Sequence, residues 1–225
     1  MAIRNRLAFD AGLLLDSKHA PHVLNQRQGA IYAEHVAALN SYVDRMRQET
    51  DESIPYFDPL SGGVRAGVLI LLQDPSAVAS EGSGFISRHN NDITARNTML
   101  ACEESSLAYE NCVHWNVVPW WVDNPARPGK RSMRDEAERA LPYTRELLML
   151  LPKLRVLLLA GRVAHRRWAA ATVADRTGAL RSIPMITCPH PGAQAWNNQD
   201  KVTGRRNSEL TIEAFRAARE LALPT

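Results

Sequence analysis

The stretch GVLILLQDPSAVASEGSGF (residues 67–85) decides the fold expected for this chain. Its residues 68–72 form a continuous apolar run, which is typical of a strand that helices cover on both faces. The run ends at Gln73-Asp74-Pro75, where the proline fixes φ and removes a backbone donor. Asp74 therefore stands at a rigid turn, at the mouth of a glycine-bearing loop.

Three more short apolar runs and several helical patterns follow along the chain. The runs are predicted strands at 113–118, 156–160 and 183–188. Helices are predicted at 92–109, 134–151, 163–174 and 208–223, and a further helix at 28–48 precedes a loop at 51–63. The alternation of strand and helix predicts a three-layer α/β/α sandwich with a central four-stranded parallel sheet.

Composition limits the class of protein. A chain of 225 residues with 45% hydrophobic residues suits one domain over 1–225, with an N-terminal helical region and loop at 1–63 and an α/β core at 64–225. The formal charge of +3 permits a polyanionic partner without requiring one. No segment is typical of a signal peptide or membrane span, so a cytoplasmic protein is expected, as a monomer.

The three cysteines are Cys102, Cys112 and Cys188. Their odd number and their spacing indicate neither a disulfide framework nor a zinc or iron–sulfur site, so no metal or cofactor is expected.

Polar residues at strand ends are the candidate site. Because ligands bind beyond the carboxyl ends of parallel strands, Asp74, Asn116 and His190 should face one crevice. Asn116 offers a donor and an acceptor, and His190, between two prolines, can donate to an oxygen that gains negative charge. Each residue alone is more often structural, as a turn aspartate, a buried hydrogen-bonding amide or a loop histidine. Their convergence favours chemistry.

Five motifs in order resemble the uracil-DNA glycosylase superfamily. They are LLQDPS, GSGF, HWNVVPW, the segment from RPGKRS to AGRVA, and CPHPGAQAWN. The resemblance covers roughly 68–207 and implies an enzyme that flips uracil out of DNA and hydrolyses its N-glycosidic bond, leaving an abasic site. The implied partners are uracil-containing DNA and the abasic product.

The resemblance also implies a role for each matching residue. Asp74 would orient water and stabilise positive charge on the sugar, while His190 would stabilise negative charge on the leaving base. Gln73 would line the uracil site, Asn116 would hydrogen-bond the uracil edge, and Phe85 would stack on the flipped ring, with core packing as its alternative.

The chain departs from the family pattern at several positions. Ser76 stands where uracil-specific members have a tyrosine that excludes the methyl group of thymine, which puts uracil as sole substrate in doubt. The leucine wedge of those enzymes is missing, and Gln194 or Trp196 could fill the gap left by the flipped base. The cluster cysteines of the iron–sulfur branch are also absent.

Two basic loops after the strands are expected to bind DNA phosphates. Trp120 and Trp121 beside the first loop could stack on bases, although core packing is the better interpretation. The residues expected at the DNA are Arg127, Lys130, Arg131, Gly192, Gln194, Lys201, Arg205 and Arg206.

Two other functions remain open. A protein that binds uracil or abasic sites in DNA with little turnover would explain Ser76 and the missing wedge. A hydrolase of free nucleosides could use the same fold. A lyase is not expected, because no lysine stands beside the motifs to form a Schiff base.

Overall fold

A computed structural model gives the structure of the protein and describes residues 2–127, 129, 131–175, 178, 180 and 182–223. The strands are β1 (Tyr56–Phe57), β2 (Val68–Leu72), β3 (Phe85–Ile86), β4 (Cys112–Asn116), β5 (Val156–Ala160) and β6 (Met185–Cys188). The α-helices are α1 (Arg6–Asp10), α2 (Pro21–Gln28), α3 (Glu34–Thr50), α4 (Ile93–Ser105), α5 (Met133–Met149), α6 (Arg162–Ala174), α7 (Ala193–Asn197) and α8 (Asn207–Ala222).

The central sheet confirms the predicted fold class. Four parallel strands pair in the order β4-β2-β5-β6, and β1 and β3 form a separate two-stranded parallel sheet. The register aligns the strand ends, with Leu72 opposite Asn116 and Ala160 opposite Cys188. Side chains that follow these ends therefore gather at one edge of the sheet.

Helices cover both faces of the central sheet. On one face α4 and α8 pack on Val68, Ile70 and Leu158, and on the other α3, α5 and α6 pack on Leu69 and Leu71. Strand β6 differs from the expectation that helices cover both faces of each strand, since Met185 is 50% exposed at the sheet edge. It also begins later than predicted, after Pro184, which has no N–H to donate to a neighbouring strand.

The N-terminal region differs from the single helix predicted at 28–48. Two helices, α2 and α3, are separated at 29–33, and α3 is followed by Asp51, which has a left-handed backbone conformation. The short sheet of β1 and β3 was not predicted, because two-residue strands carry no periodic signal. In the described part of the chain, no helix is both long enough and apolar enough to cross a membrane.

A buried carboxylate, Asp58, joins the N-terminal region to the loop after β3. Its oxygens accept hydrogen bonds from Arg27, from Ser87 and, at 2.9 Å, from the Tyr109 hydroxyl. Burial by itself raises the pKa of Asp58, but the contact with His89, the charge of Arg27 and the Ser87 hydroxyl outweigh it and hold the pKa well below its usual range. The ionised carboxylate therefore anchors 87–89.

We expect Asp58→Asn to lower the free energy of unfolding by about 3–5 kcal/mol, because the buried Arg27 loses its counter-charge. The folded-state pKa is depressed, so the contribution of Asp58 is present above the unfolded-state pKa and is lost as the pH falls through the folded value. Urea titrations across acidic pH should show a shallower pH dependence for the variant than for the wild type. Asp10→Asn, in the exposed pair with Arg6, is the matched control and should stay within about 0.5 kcal/mol.

Candidate active site

A pocket of 410 Å³ opens at the carboxyl ends of the central strands. This main pocket brings together five of the predicted site residues: Gln73, Asp74, Ser76, Asn116 and His190. They come from the end of β2, the end of β4 and the loop after β6, as the strand register requires. Its volume lies in the range of small-molecule sites.

Asp74 is held by two donors at the mouth of the pocket. One carboxylate oxygen accepts the Val122 backbone N–H at 3.1 Å, and the other accepts the Gln73 side-chain amide at 3.0 Å. Burial raises the pKa of Asp74 above its ordinary value, and the two hydrogen bonds limit that rise because they favour the charged form. Each oxygen keeps a lone pair for water or substrate.

His190 is fixed in one orientation by two glycines. Its Nδ1 accepts the Gly192 N–H at 2.8 Å, so the proton of the neutral ring stands on Nε2. Gly161, at φ +92°, lies so close that an added Cβ would come within 2.9 Å of the His190 Cβ. Burial lowers the pKa of His190, which favours the neutral ring. The site thus presents a neutral N–H donor.

Asn116 ends β4 and is 3% exposed. Side chains alternate along a strand, so Cys112, His114 and Asn116 share the face that α4 covers. The Asn116 amide forms no hydrogen bond with any other residue in the described ranges. A buried amide without a protein partner is suited to a polar ligand, which supplies the missing bonds.

Gln73 and Ser76 line the pocket with part of their polar groups already engaged. The Gln73 carbonyl accepts the Val118 N–H at 3.0 Å, which prolongs the pairing of β2 with β4. The Ser76 hydroxyl oxygen accepts the Ala79 N–H at 3.3 Å and starts a turn that leads into a π-helical segment, Val78–Ser83.

Phe85 does not lie in the main pocket, so the stacking role expected for it is wrong in this structure. It pairs with Tyr56 in the small sheet, and its ring is 1% exposed among apolar residues that include Leu14 and Met99. Ile86 lines the pocket instead. The alternative interpretation, core packing, holds for Phe85.

Several pocket residues were missed by the sequence argument, among them Arg88, Asp92 and His114. Arg88 lies over the Tyr109 ring with its guanidinium carbon 4.4 Å from the ring centroid. Of the two tryptophans, Trp120 is buried in the core as expected, and Trp121 reaches the pocket. The polar run SRHNND at 87–92 was the available signal for Arg88 and Asp92.

A second cavity, which we call the groove, continues from the main pocket. It measures 920 Å³, shares Gln73 and His190 with the pocket, and is lined further by Arg162, Gln194 and Asp200. Gln194 is exposed in α7, whereas Trp196 is 7% exposed within the core. Trp196 is therefore excluded as a residue that could enter a base stack.

Four of the residues expected at DNA phosphates are exposed. Arg131, Lys201 and Arg206 are exposed, and Arg205 is exposed but paired with Glu209 and Glu213. The Gly192 N–H donates to the His190 imidazole, so this N–H binds the histidine and not a DNA phosphate. Lys130 lies outside the described residues.

Arg127 is not free to bind DNA, which corrects the expectation. It is 14% exposed and pairs with Glu52 at 2.7 Å and Glu136 at 2.8 Å. Its guanidinium also donates to the Val122 carbonyl at 3.2 Å, and the Val122 N–H in turn binds Asp74. Arg127 thus positions the catalytic candidate Asp74 through the backbone of Val122.

Comparison with solved structures finds matches that include a distant likeness to a viral protein. The structure of a mimivirus UNG in complex with UGI matches with a TM-score of 0.38 and 15% sequence identity, over 84% of this chain and 74% of that one. A likeness of this size carries no argument about function. No protein-family model and no curated protein matches the chain.

We expect Arg127→Gln to lower the free energy of unfolding by about 3 kcal/mol, because Glu136 loses a counter-charge in a buried environment. The salt dependence of DNA binding should stay unchanged. Arg131→Gln is the matched control, and its free energy of unfolding should be unchanged. Its salt slope, the slope of the logarithm of the DNA-binding constant against the logarithm of the salt concentration, should be smaller by about one. Denaturant titration and DNA affinity at several salt concentrations distinguish the two. A stable Arg127→Gln protein with a reduced salt slope would contradict this assignment.

Proposed function

We propose that this chain is a monofunctional uracil-DNA glycosylase, which flips uracil out of DNA and hydrolyses its N-glycosidic bond. The supporting observation is the convergence of Asp74, Asn116 and His190 on one pocket. A carboxylate can stabilise positive charge on the sugar, and an amide and a neutral N–H donor can bind a pyrimidine and stabilise negative charge on it as the bond breaks.

His190 and Asn116 act on the base. The Nε2–H of His190 donates to the base oxygen that becomes negative as the bond breaks, and the fixed ring needs no reorganisation during the reaction. The Asn116 amide offers both a donor and an acceptor, which matches the carbonyl and N–H of the uracil edge. A base that lacks this pattern would leave the buried amide unpaired, which disfavours its binding.

Asp74 acts on the sugar. In its ionised form the carboxylate stabilises positive charge that develops on the sugar and orients a water molecule for attack. The donors at Val122 and Gln73 favour that form and hold its direction. A lyase step would need an amine beside the sugar, and the lining residues within the described ranges include no lysine.

The groove fits the DNA strand that flanks the extruded nucleotide. It adjoins the pocket at His190, carries Arg162 at the start of α6, and has Gln194 exposed beside it. Cationic side chains at such a position bind phosphates without reading the sequence. Gln194 stands where a side chain could occupy the place of the flipped base.

Release of uracil from a DNA oligonucleotide tests the proposal. The wild type is expected to yield free uracil and an abasic site, and Asp74→Asn and His190→Ala are each expected to reduce the rate roughly 100- to 10,000-fold. Chromatography of the base and alkaline cleavage of the product strand measure the two products. Glu81→Gln, at an exposed position of the π-helical segment Val78–Ser83, is the control and should keep the wild-type rate.

A wild type that releases no uracil would contradict the proposal. If it then retained abasic DNA tightly, the binding protein with little turnover would be favoured. Cleavage of free deoxyuridine that is insensitive to salt would instead favour a nucleoside hydrolase, because binding through phosphates depends strongly on salt.

Ser76 is expected to widen the range of excised bases. We predict that Ser76→Tyr reduces the excision of 5-hydroxymethyluracil roughly tenfold more than the excision of uracil, because the larger ring fills space beside the 5-position. Competition between the two substrates in one reaction measures the ratio. Ala77→Tyr adds the same ring at an exposed neighbour outside the pocket lining and should leave the ratio unchanged. Equal losses for both bases in Ser76→Tyr would refute the assignment.

A further inference from the structure

Two thiols and an imidazole meet beneath the main pocket. Cys102 lies in the last turns of α4, and Cys112 and His114 lie on β4. Their two sulfurs and a ring nitrogen all lie within 4.8 Å of one another, and the three residues are 1%, 0% and 3% exposed. The spacing of these residues along the sequence did not indicate the cluster, because one residue comes from a helix and two come from a strand.

The fold holds the three side chains in place. Cys112 and His114 are two residues apart on one strand, so they face the same side of the sheet. β4 pairs with β2 along its whole length, and α4 packs on that face with Ala101 and Cys102 buried against it. A site built on a paired strand and a packed helix is pre-organised.

The ring nitrogens of His114 have no oxygen or nitrogen partner among the described residues, and Cys102 is the neighbour that interacts with the ring. The His114 side chain is buried. By contrast, His165 contacts the Leu159 and Cys188 carbonyls at 2.8 and 3.1 Å. His89 also lacks hydrogen bonds, but it lies 3.6 Å from the Asp58 carboxylate. A buried imidazole with neither kind of partner calls for a ligand.

We propose that Cys102, Cys112 and His114 bind one Zn²⁺ ion through two thiolates and one imidazole nitrogen. Zinc prefers sulfur and nitrogen donors in this combination, and the two thiolate charges balance the charge of the ion. Three protein ligands leave one tetrahedral position for water. His114 also lines the main pocket, so water has a route to the cluster.

Two charged groups act on the cluster: the guanidinium of Arg88 on Cys102, and the carboxylate of Glu110 on Cys112. The cation of Arg88 beside Cys102 would limit the affinity for a second positive charge, which two thiolates offset.

The ion would join α4 to β4 at the floor of the pocket. His114 stands two residues before Asn116, and the first two turns of α4 supply Thr94, Ala95 and Thr98 to the pocket wall. A metal here would therefore hold the wall in place. It takes no part in the bond cleavage proposed above, and the site stands or fails independently of that activity.

Metal analysis of the whole protein tests the site. Protein produced with zinc and kept reduced should contain about one zinc per chain, and replacement by Co²⁺ should give the thiolate-to-cobalt absorption band in the near ultraviolet. Cys102→Ser and His114→Ala should lose the zinc and the band. Cys188→Ser removes the third buried cysteine, which lies outside the cluster, and should keep both.

Three results would overturn the proposal: wild-type protein that takes up neither ion, variants of the cluster that keep the zinc, or a disulfide between Cys102 and Cys112 in reduced, metal-supplied protein. If the variants do not fold, titration of the wild type with a mercurial reagent replaces them. The zinc released into solution should increase in proportion to the modification of two thiols. Zinc release that does not follow thiol modification would also overturn the site.

Discussion

The parallel register of the central sheet is the constraint on which the site depends. It sets Leu72 opposite Asn116 and Ala160 opposite Cys188, so the chain leaves four strands at the same edge. Asp74 follows its strand by two residues, Asn116 ends its strand, and His190 follows by two. A shift of one residue in any pair would turn the side chains to the other face and empty the pocket of one of its three groups.

Further contacts orient the side chains of Asp74 and His190. Val122, held by Arg127, fixes the Asp74 carboxylate, while Gly161 and Gly192 leave the space and the N–H that fix the His190 ring. None of these residues carries the proposed chemistry. They convert side chains that merely lie near one another into a directed carboxylate and a directed N–H donor, which is the geometry that catalysis requires.

The sheet could be predicted from the sequence because its strands are continuous apolar runs. The positions of Asp74, Asn116 and His190 could be predicted because ligands bind beyond the carboxyl ends of parallel strands. What escaped prediction depends on contacts between distant residues. Arg127 resembled a solvent-exposed cation because its partner Glu52 lies 75 positions away, and Phe85 resembled a loop residue because its two-residue strand has no period. The Cys102 cluster was hidden for the same reason, since a helix and a strand supply its parts.

The most direct measurement of the central claim is a crystal structure of the wild-type protein soaked with uracil. The account predicts the pyrimidine in the main pocket, with its edge within hydrogen-bond distance of the Asn116 amide and of the His190 Nε2, and with the Asp74 carboxylate facing the position of the sugar. Uracil bound elsewhere, or a pocket in which these three side chains point away from one another, would contradict it.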